Sequence, residues 1–130
     1  MTGNSAKALK SVACGCRGLI YLHKTDHGRA IERFKEALRL DREIHDKKGM
    51  ANQLGNIGLA QKANKEYGAA LEYFKSALNV SFLDDYLEGA LFSLRQIEQV
   101  MALEGRYDDA EKFRRDMLRR NPGVAKMLHD

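Results

Sequence analysis

One proline, two cysteines and no tryptophan occur in 130 residues. The lone proline, Pro122, argues against folds built on many tight turns and leaves the chain free to form long uninterrupted helices. Cys14 and Cys16 stand two apart. On a helix that spacing turns two side chains about 200° away from each other, so neither a bridge nor a shared metal is expected. The pair reads as one small apolar filler and one surface thiol. No apolar run approaches the roughly 18 residues a spanning helix needs. Residues 1–13 contain Lys7 and Lys10 and no apolar core of signal-peptide length. A cytoplasmic chain is expected.

Charge is also modest. Lys and Arg number 22 against 18 Asp and Glu, a net charge of +4. The excess lies mostly in the first third and is interleaved with acids, whereas a nucleic-acid domain clusters its cations on one face. Nucleic acid is therefore not the expected partner. His23 and His27 have the four-residue spacing of two ligands on one helical face, but Asp26-His27-Gly28 reads as a turn that breaks the helix between them. Gly15 and Gly18 follow no strand, so they make no phosphate loop. No Ser/His/Asp or Cys/His set can be assembled. No catalytic residue, metal or cofactor is expected, and the chain reads as a non-enzyme.

What is present is a repeat. Shifted by 40, residues 27–40 (HGRAIERFKEALRL) fall on residues 67–80 (YGAALEYFKSALNV) with seven of fourteen positions identical. The seven are Gly28/Gly68, Ala30/Ala70, Glu32/Glu72, Phe34/Phe74, Lys35/Lys75, Ala37/Ala77 and Leu38/Leu78. A second shift lands on residues 107–120, where Tyr67/Tyr107, Ala70/Ala110 and Leu78/Leu118 persist. Upstream, Gly18/Gly58, Gly49/Gly89, Leu54/Leu94 and Ile57/Ile97 keep the register. In the second segment of each unit, apolar residues recur at three and four, the mark of an amphipathic helix. The spacing predicts helical pairs at 5–24 with 28–44, 47–64 with 68–82, and 84–104 with 108–120. Short polar turns around Gly28, Gly68 and Gly105 separate the members of each pair. Asp84-Asp85 and Asp108-Asp109 are expected to cap the third unit's two helices, and Asn121 to cap a last short helix begun by Pro122. Three hairpins stacked in this way supply the core that no single hairpin can bury.

These residues resemble a tetratricopeptide repeat, whose pattern runs from an apolar residue through Leu-Gly and Tyr to Ala, Phe, Ala and Pro. Cys14, Gly18, Tyr21, Ala30, Phe34 and Ala37 carry it in the first unit. Leu54, Ile57, Gly58, Ala70, Phe74 and Ala77 carry it in the second, and Leu94, Ile97, Ala110, Leu118 and Pro122 in the third. The unit is 40 residues where about 34 is usual. This length, with Leu54-Gly55-Asn56, is similar to the longer-repeat branch that includes kinesin light chains and Leu-Gly-Asn adaptors. The extra residues, near 41–48 and 81–87, are expected to lengthen the helices on either side. Glu98 and Arg114 replace the small residue and the Phe in the third unit, as suits a terminal unit.

The resemblance implies an all-α superhelix of αα-hairpins forming one domain over residues 1–130. Its repeats would fall at about 5–44, 45–84 and 85–120, with a helical cap at 122–129. It also implies a non-catalytic scaffold that holds a peptide segment of another protein in its concave groove, lined by the first helix of each unit. Helical spacing selects the groove stripe. In the second unit it is Asn52, Gly55, Asn56, Leu59 and Lys62. The corresponding positions include Cys16 and Leu19 in the first unit, and Phe92, Arg95, Gln96 and Gln99 in the third. Asn56 is the leading candidate, because an amide both donates and accepts and so suits peptide backbone. A carboxylate-gripping set is not expected, since Gly15, Leu19 and Phe92 stand where it would need polar or basic residues. The alternative reading is a self-associating unit that dimerises through its exposed end hairpins.

Overall fold

The structure, a computed structural model, describes residues 3–129; Met1, Thr2 and Asp130 lie outside the described residues. Seven helices follow one another: α1 (Gly3–His23), α2 (His27–Glu43), α3 (Lys47–Ala63), α4 (Tyr67–Leu83), α5 (Leu87–Leu103), α6 (Tyr107–Arg120) and α7 (Pro122–His129). No strand occurs among the described residues. The four helices α2 to α5 are each 17 residues long, separated by three-residue turns. The added length of the unit thus goes into helix, as expected from the positions of the extra residues.

The turns are uniform and differ from the sequence expectation. Each helix from α1 to α5 ends with a residue in the left-handed region: Thr25 (φ 62°), His45 (58°), Lys65 (61°), Asp85 (51°) and Gly105 (75°). The bonds around it are those of a Schellman ending. At the first turn the Thr25 amide donates to the Leu22 carbonyl (3.0 Å) and the Asp26 amide to the Tyr21 carbonyl (2.9 Å). Of the three glycines expected in the turns, only Gly105 takes this place. Gly28 and Gly68 sit one residue inside the next helix. Asp84 and Asp85 close α4 instead of opening α5, whose cap position is Tyr86 without a side-chain bond. Asp109 lies in the first turn of α6 and accepts from Arg106 Nε at 3.0 Å. Asn121 donates from Nδ2 to the Met117 carbonyl (2.9 Å), so its side chain serves the end of α6.

Packing explains the repeat. Ala30, Phe34, Ala70 and Phe74 are fully buried. A Cβ placed on Gly18 would lie 2.5 Å from Cε1 of Phe34, and one on Gly58 would lie 2.6 Å from Cε1 of Phe74. The ring of each outer helix therefore rests on the glycine of its own hairpin's inner helix. It also reaches the next hairpin, since Phe34 shares a cluster with Leu54 and Ile57. In the third unit the same two places hold an ion pair, Arg114 Nη1 to the Glu98 carboxylate at 2.9 and 3.1 Å. α6 accordingly has no buried residue. The last hairpin is closed by α7, whose Val124 is buried in a cluster that Leu87, Phe113, Met117 and Leu118 flank.

One buried carboxyl joins the two helices of the first hairpin. Asp41, 3% exposed, accepts a hydrogen bond from Ser11 Oγ, whose single proton is shared with the Ala37 carbonyl 3.2 Å away. Burial raises the Asp41 pKa above the ordinary carboxylate value of 3.8; the nearby Asp46 adds to the rise and the Ser11 bond opposes it. A carboxyl whose folded pKa is raised burdens the folded state once it ionises. The burden is absent below the unfolded value and complete above the folded one. Relative to Asp41→Asn, the wild-type chain is therefore expected to gain stability as pH falls from 7 toward 4. Denaturant midpoints of both proteins across that window test this, and parallel curves would remove the assignment.

Candidate functional site

The inner helices α1, α3 and α5 line a trough of about 520 Å³. Val12, Cys16 and Leu19 of α1 form one wall, Asn52 and Asn56 of α3 the floor, and Phe92 of α5 the opposite wall. Val12 is 64% exposed, Leu19 49% and Phe92 40%, so the walls are bare apolar side chains. The helical repeat sets this arrangement. Residues three and four apart share a face, and the hairpin stack sets the three faces side by side.

The floor is polar and partly engaged. Tyr86 Oη donates to Asn52 Oδ1 at 3.1 Å, which leaves the Asn52 amide NH2 free to donate. Asn56 Nδ2 donates to Gln53 Oε1 at 3.4 Å, which leaves its carbonyl free to accept. A donor and an acceptor thus stand one helical turn apart, about 6 Å.

Gly15 and Gly55 are buried between inner helices. A Cβ on Gly55 would meet Phe92 Cε1 at 3.3 Å, and one on Gly15 would meet Gln53 Nε2 at 3.2 Å. Their smallness admits a side chain of the next inner helix, and both remain part of the trough lining.

The trough brings together Cys16, Leu19, Asn52, Gly55, Asn56 and Phe92 of the stripe expected from sequence. The other five lie outside it. Leu59 is half-buried against the core. Lys62 Nζ donates to Gln96 Oε1 at 2.8 Å and Gln99 Oε1 at 2.7 Å, a strut between α3 and α5, and burial lowers its pKa. Arg95 is exposed, with no ion pair or hydrogen bond among the described residues. Cys14 is buried, which raises its thiol pKa, whereas Cys16 is exposed on the trough wall.

Tyr86, Glu88 and Gln53 line the trough and were not in the expected stripe. A signal for Tyr86 existed in the register. Gly89 repeats Gly49 forty residues on, and a Cβ on Gly89 would lie 2.5 Å from Tyr86 Cδ2. The glycine lets the ring lie against α5, and Lys48 Nζ sits 4.8 Å from the ring centroid.

Among the described residues, no group of three His, Cys, Asp or Glu side chains could hold a metal ion. No helix of the described residues is long and apolar enough to cross a membrane.

Comparison with known proteins agrees with this architecture. No curated protein matches the sequence. The crystal structure of the tetratricopeptide-repeat domain of Arabidopsis FLU superposes with a TM-score of 0.80, covering 95% of this chain and 99% of that one at 19% identity. At that identity the likeness is one of fold. The family model of the tetratricopeptide repeat matches residues 11–81. That span takes in the first two hairpins with their Gly18–Phe34 and Gly58–Phe74 contacts, and the chain belongs to the tetratricopeptide repeat family.

Proposed function

We propose that the trough between α1, α3 and α5 binds an extended segment of a partner protein. Repeats of this family generally mediate protein–protein interaction; the segment and its seat are the reading made for this chain. The free donor of Asn52 and free acceptor of Asn56, set between bare apolar walls, carry it. An extended peptide offers both kinds of partner along each edge, a carbonyl for the Asn52 amide and an N–H for the Asn56 carbonyl. Val12, Leu19 and Phe92 would then take the side chains on either side. No catalytic step is ascribed to the trough.

A displayed peptide library selected on the wild-type protein, with affinities measured on synthetic peptides, tests this. Asn56→Ala removes the free acceptor, and Phe92→Ala removes one wall. Each is expected to weaken selected peptides by about tenfold, close to 1.4 kcal/mol. Peptides that bind both variants as tightly as the wild type would remove the trough as the site.

Self-association through the end hairpin is the second reading. On α1, Ala13, Arg17 and Ile20 are exposed, whereas their counterparts Gln53, Ile57 and Ala60 are buried beneath the preceding hairpin. Arg17 at the centre of that face disfavours a symmetric contact, which would bring two like charges together.

A further inference from the structure

A second surface lies on the outer edge of the stack, away from the trough. There the end of α2, the start of α3 and the end of α4 enclose a cleft of about 220 Å³. Its floor is Met50, Val80 and Leu83, and its rim is Arg42, His45 and Lys47. Leu83 is 74% exposed, the most exposed large apolar residue among those described.

Three arginines of α2 are paired within their own helix or its cap. On α2, Arg29 pairs with Asp26, Arg33 with Glu36 and Arg39 with Glu43. Arg42, His45 and Lys47 are exposed and have no ion pair or side-chain hydrogen bond among the described residues. The acids around them are mostly engaged. Glu43 is held by Lys7 and Arg39, Asp46 accepts the Gly49 amide, and Asp41 is buried with Ser11. Asp84, beside Leu83, is the exposed exception.

The forty-residue register has a like place further along the chain. Phe82, Asp85 and Leu87 correspond to Arg42, His45 and Lys47, and Arg120 and Gly123 to Val80 and Leu83; a cleft of about 390 Å³ lies there too. None of its three rim positions is basic, so the basic rim is particular to the first cleft.

We propose that this cleft docks an acidic segment of another protein, seating a bulky aliphatic side chain on Met50, Val80 and Leu83 with carboxylates over Arg42, His45 and Lys47. The apolar floor supplies burial, and the unpaired cations select the sign of the flanking charges. A second copy of this chain fits less well, because a symmetric contact would set Arg42 and Lys47 against their own copies across the axis.

The test uses short labelled peptides in fluorescence anisotropy at low salt. One carries two leucines flanked by glutamates, a second has every glutamate replaced by glutamine, and a third has the leucines replaced by alanine. The first is expected to bind and the other two to bind at least tenfold more weakly. Arg42→Glu with Lys47→Glu, and separately Leu83→Ser, are expected to weaken the first peptide at least tenfold. Phe92→Ala in the trough is expected to leave it unchanged, so the two surfaces are scored apart. These residues are exposed, and circular dichroism checks that each variant stays folded. Equal binding of all three peptides, no binding, or binding untouched by the rim and floor variants would overturn the proposal. So would a concentration-dependent dimer in sedimentation that Leu83→Ser abolishes, which gives the cleft to a second copy. Retention on anionic phosphatidylserine vesicles in place of the acidic peptide, lost in the same variants, would give it to a lipid surface and overturn it equally.

Discussion

Phe74→Ala lowers the stability of this chain by about 3–5 kcal/mol, the range for emptying a buried aromatic site. A domain of this size has only about 5–15 kcal/mol to lose, so the variant stands near the edge of folding. The ring is fully buried, reaches the core shared with the third hairpin, and rests on the bare backbone of Gly58. Removing it empties the point where inner helix, outer helix and next hairpin meet.

The reciprocal change tests the same contact from its other side. A Cβ on Gly58 would stand 2.6 Å from Cε1, 2.7 Å from Cδ1 and 2.9 Å from Cζ of Phe74. Overpacking of this kind costs about 1–3 kcal/mol, against about 0.5–1 kcal/mol gained by removing a helical glycine. Gly58→Ala is therefore destabilising on balance. With the smaller Phe74→Leu in the background its cost should shrink, a coupling that a double-mutant cycle reads directly. Denaturant unfolding measures all four proteins. A Phe74→Ala protein within about 1 kcal/mol of wild type would show that the ring does not hold the hairpins together.

Val124→Asp is the second large effect, and it is local. Val124 is 1% exposed and lies in a cluster flanked by Leu87, Phe113, Met117 and Leu118. A carboxylate there has no partner, and losing the valine's burial together with seating an acid costs about 2 kcal/mol or more. The loss cannot exceed the docking energy of α7, because the helix can leave the stack. In a linear repeat each hairpin contacts only its neighbours. Hydrogen exchange is therefore expected to show lost protection in α7 and α6, with α1 to α3 keeping theirs. A uniform fall across all helices would mean that the chain unfolds as one unit and that α7 is not a separable cap.

Much of the fold was legible because its causes are local and repeated. Small residues at 18 and 58 and aromatic ones at 34 and 74 recur forty apart, and each pair proves to be one contact. Glu98 and Arg114, read singly, are two departures from the pattern. In space they are one substitution, an ion pair in place of a ring on a glycine. The turns were less legible. Gly28 and Gly68 look like turn residues, yet Thr25 and Lys65 take the left-handed position. From α2 to α6 the helices start every twenty residues, and the left-handed position stands two residues before each start, whatever residue occupies it.

The trough was half legible. Helical periodicity places Asn52 and Asn56 on one face of α3, and Leu19 and Phe92 on the matching faces of their helices. It cannot say which of those faces converge. The angle between successive hairpins decides that Phe92 enters the trough while Lys62, on the same stripe as Asn56, turns to bridge Gln96 and Gln99. Tyr86 precedes its helix and escapes any helical stripe; it reaches Asn52 only because the turn aims it there.

By itself the sequence determined that this protein is a stack of three helical hairpins, since period, amphipathicity and small-to-large complementarity are properties of residue type and spacing. Only the tertiary structure decided what that stack presents: an amide floor between apolar walls on one side, and an apolar cleft rimmed by unpaired cations on the other. Both surfaces depend on how far one hairpin is rotated against the next, and that rotation arises from the summed packing of many side chains.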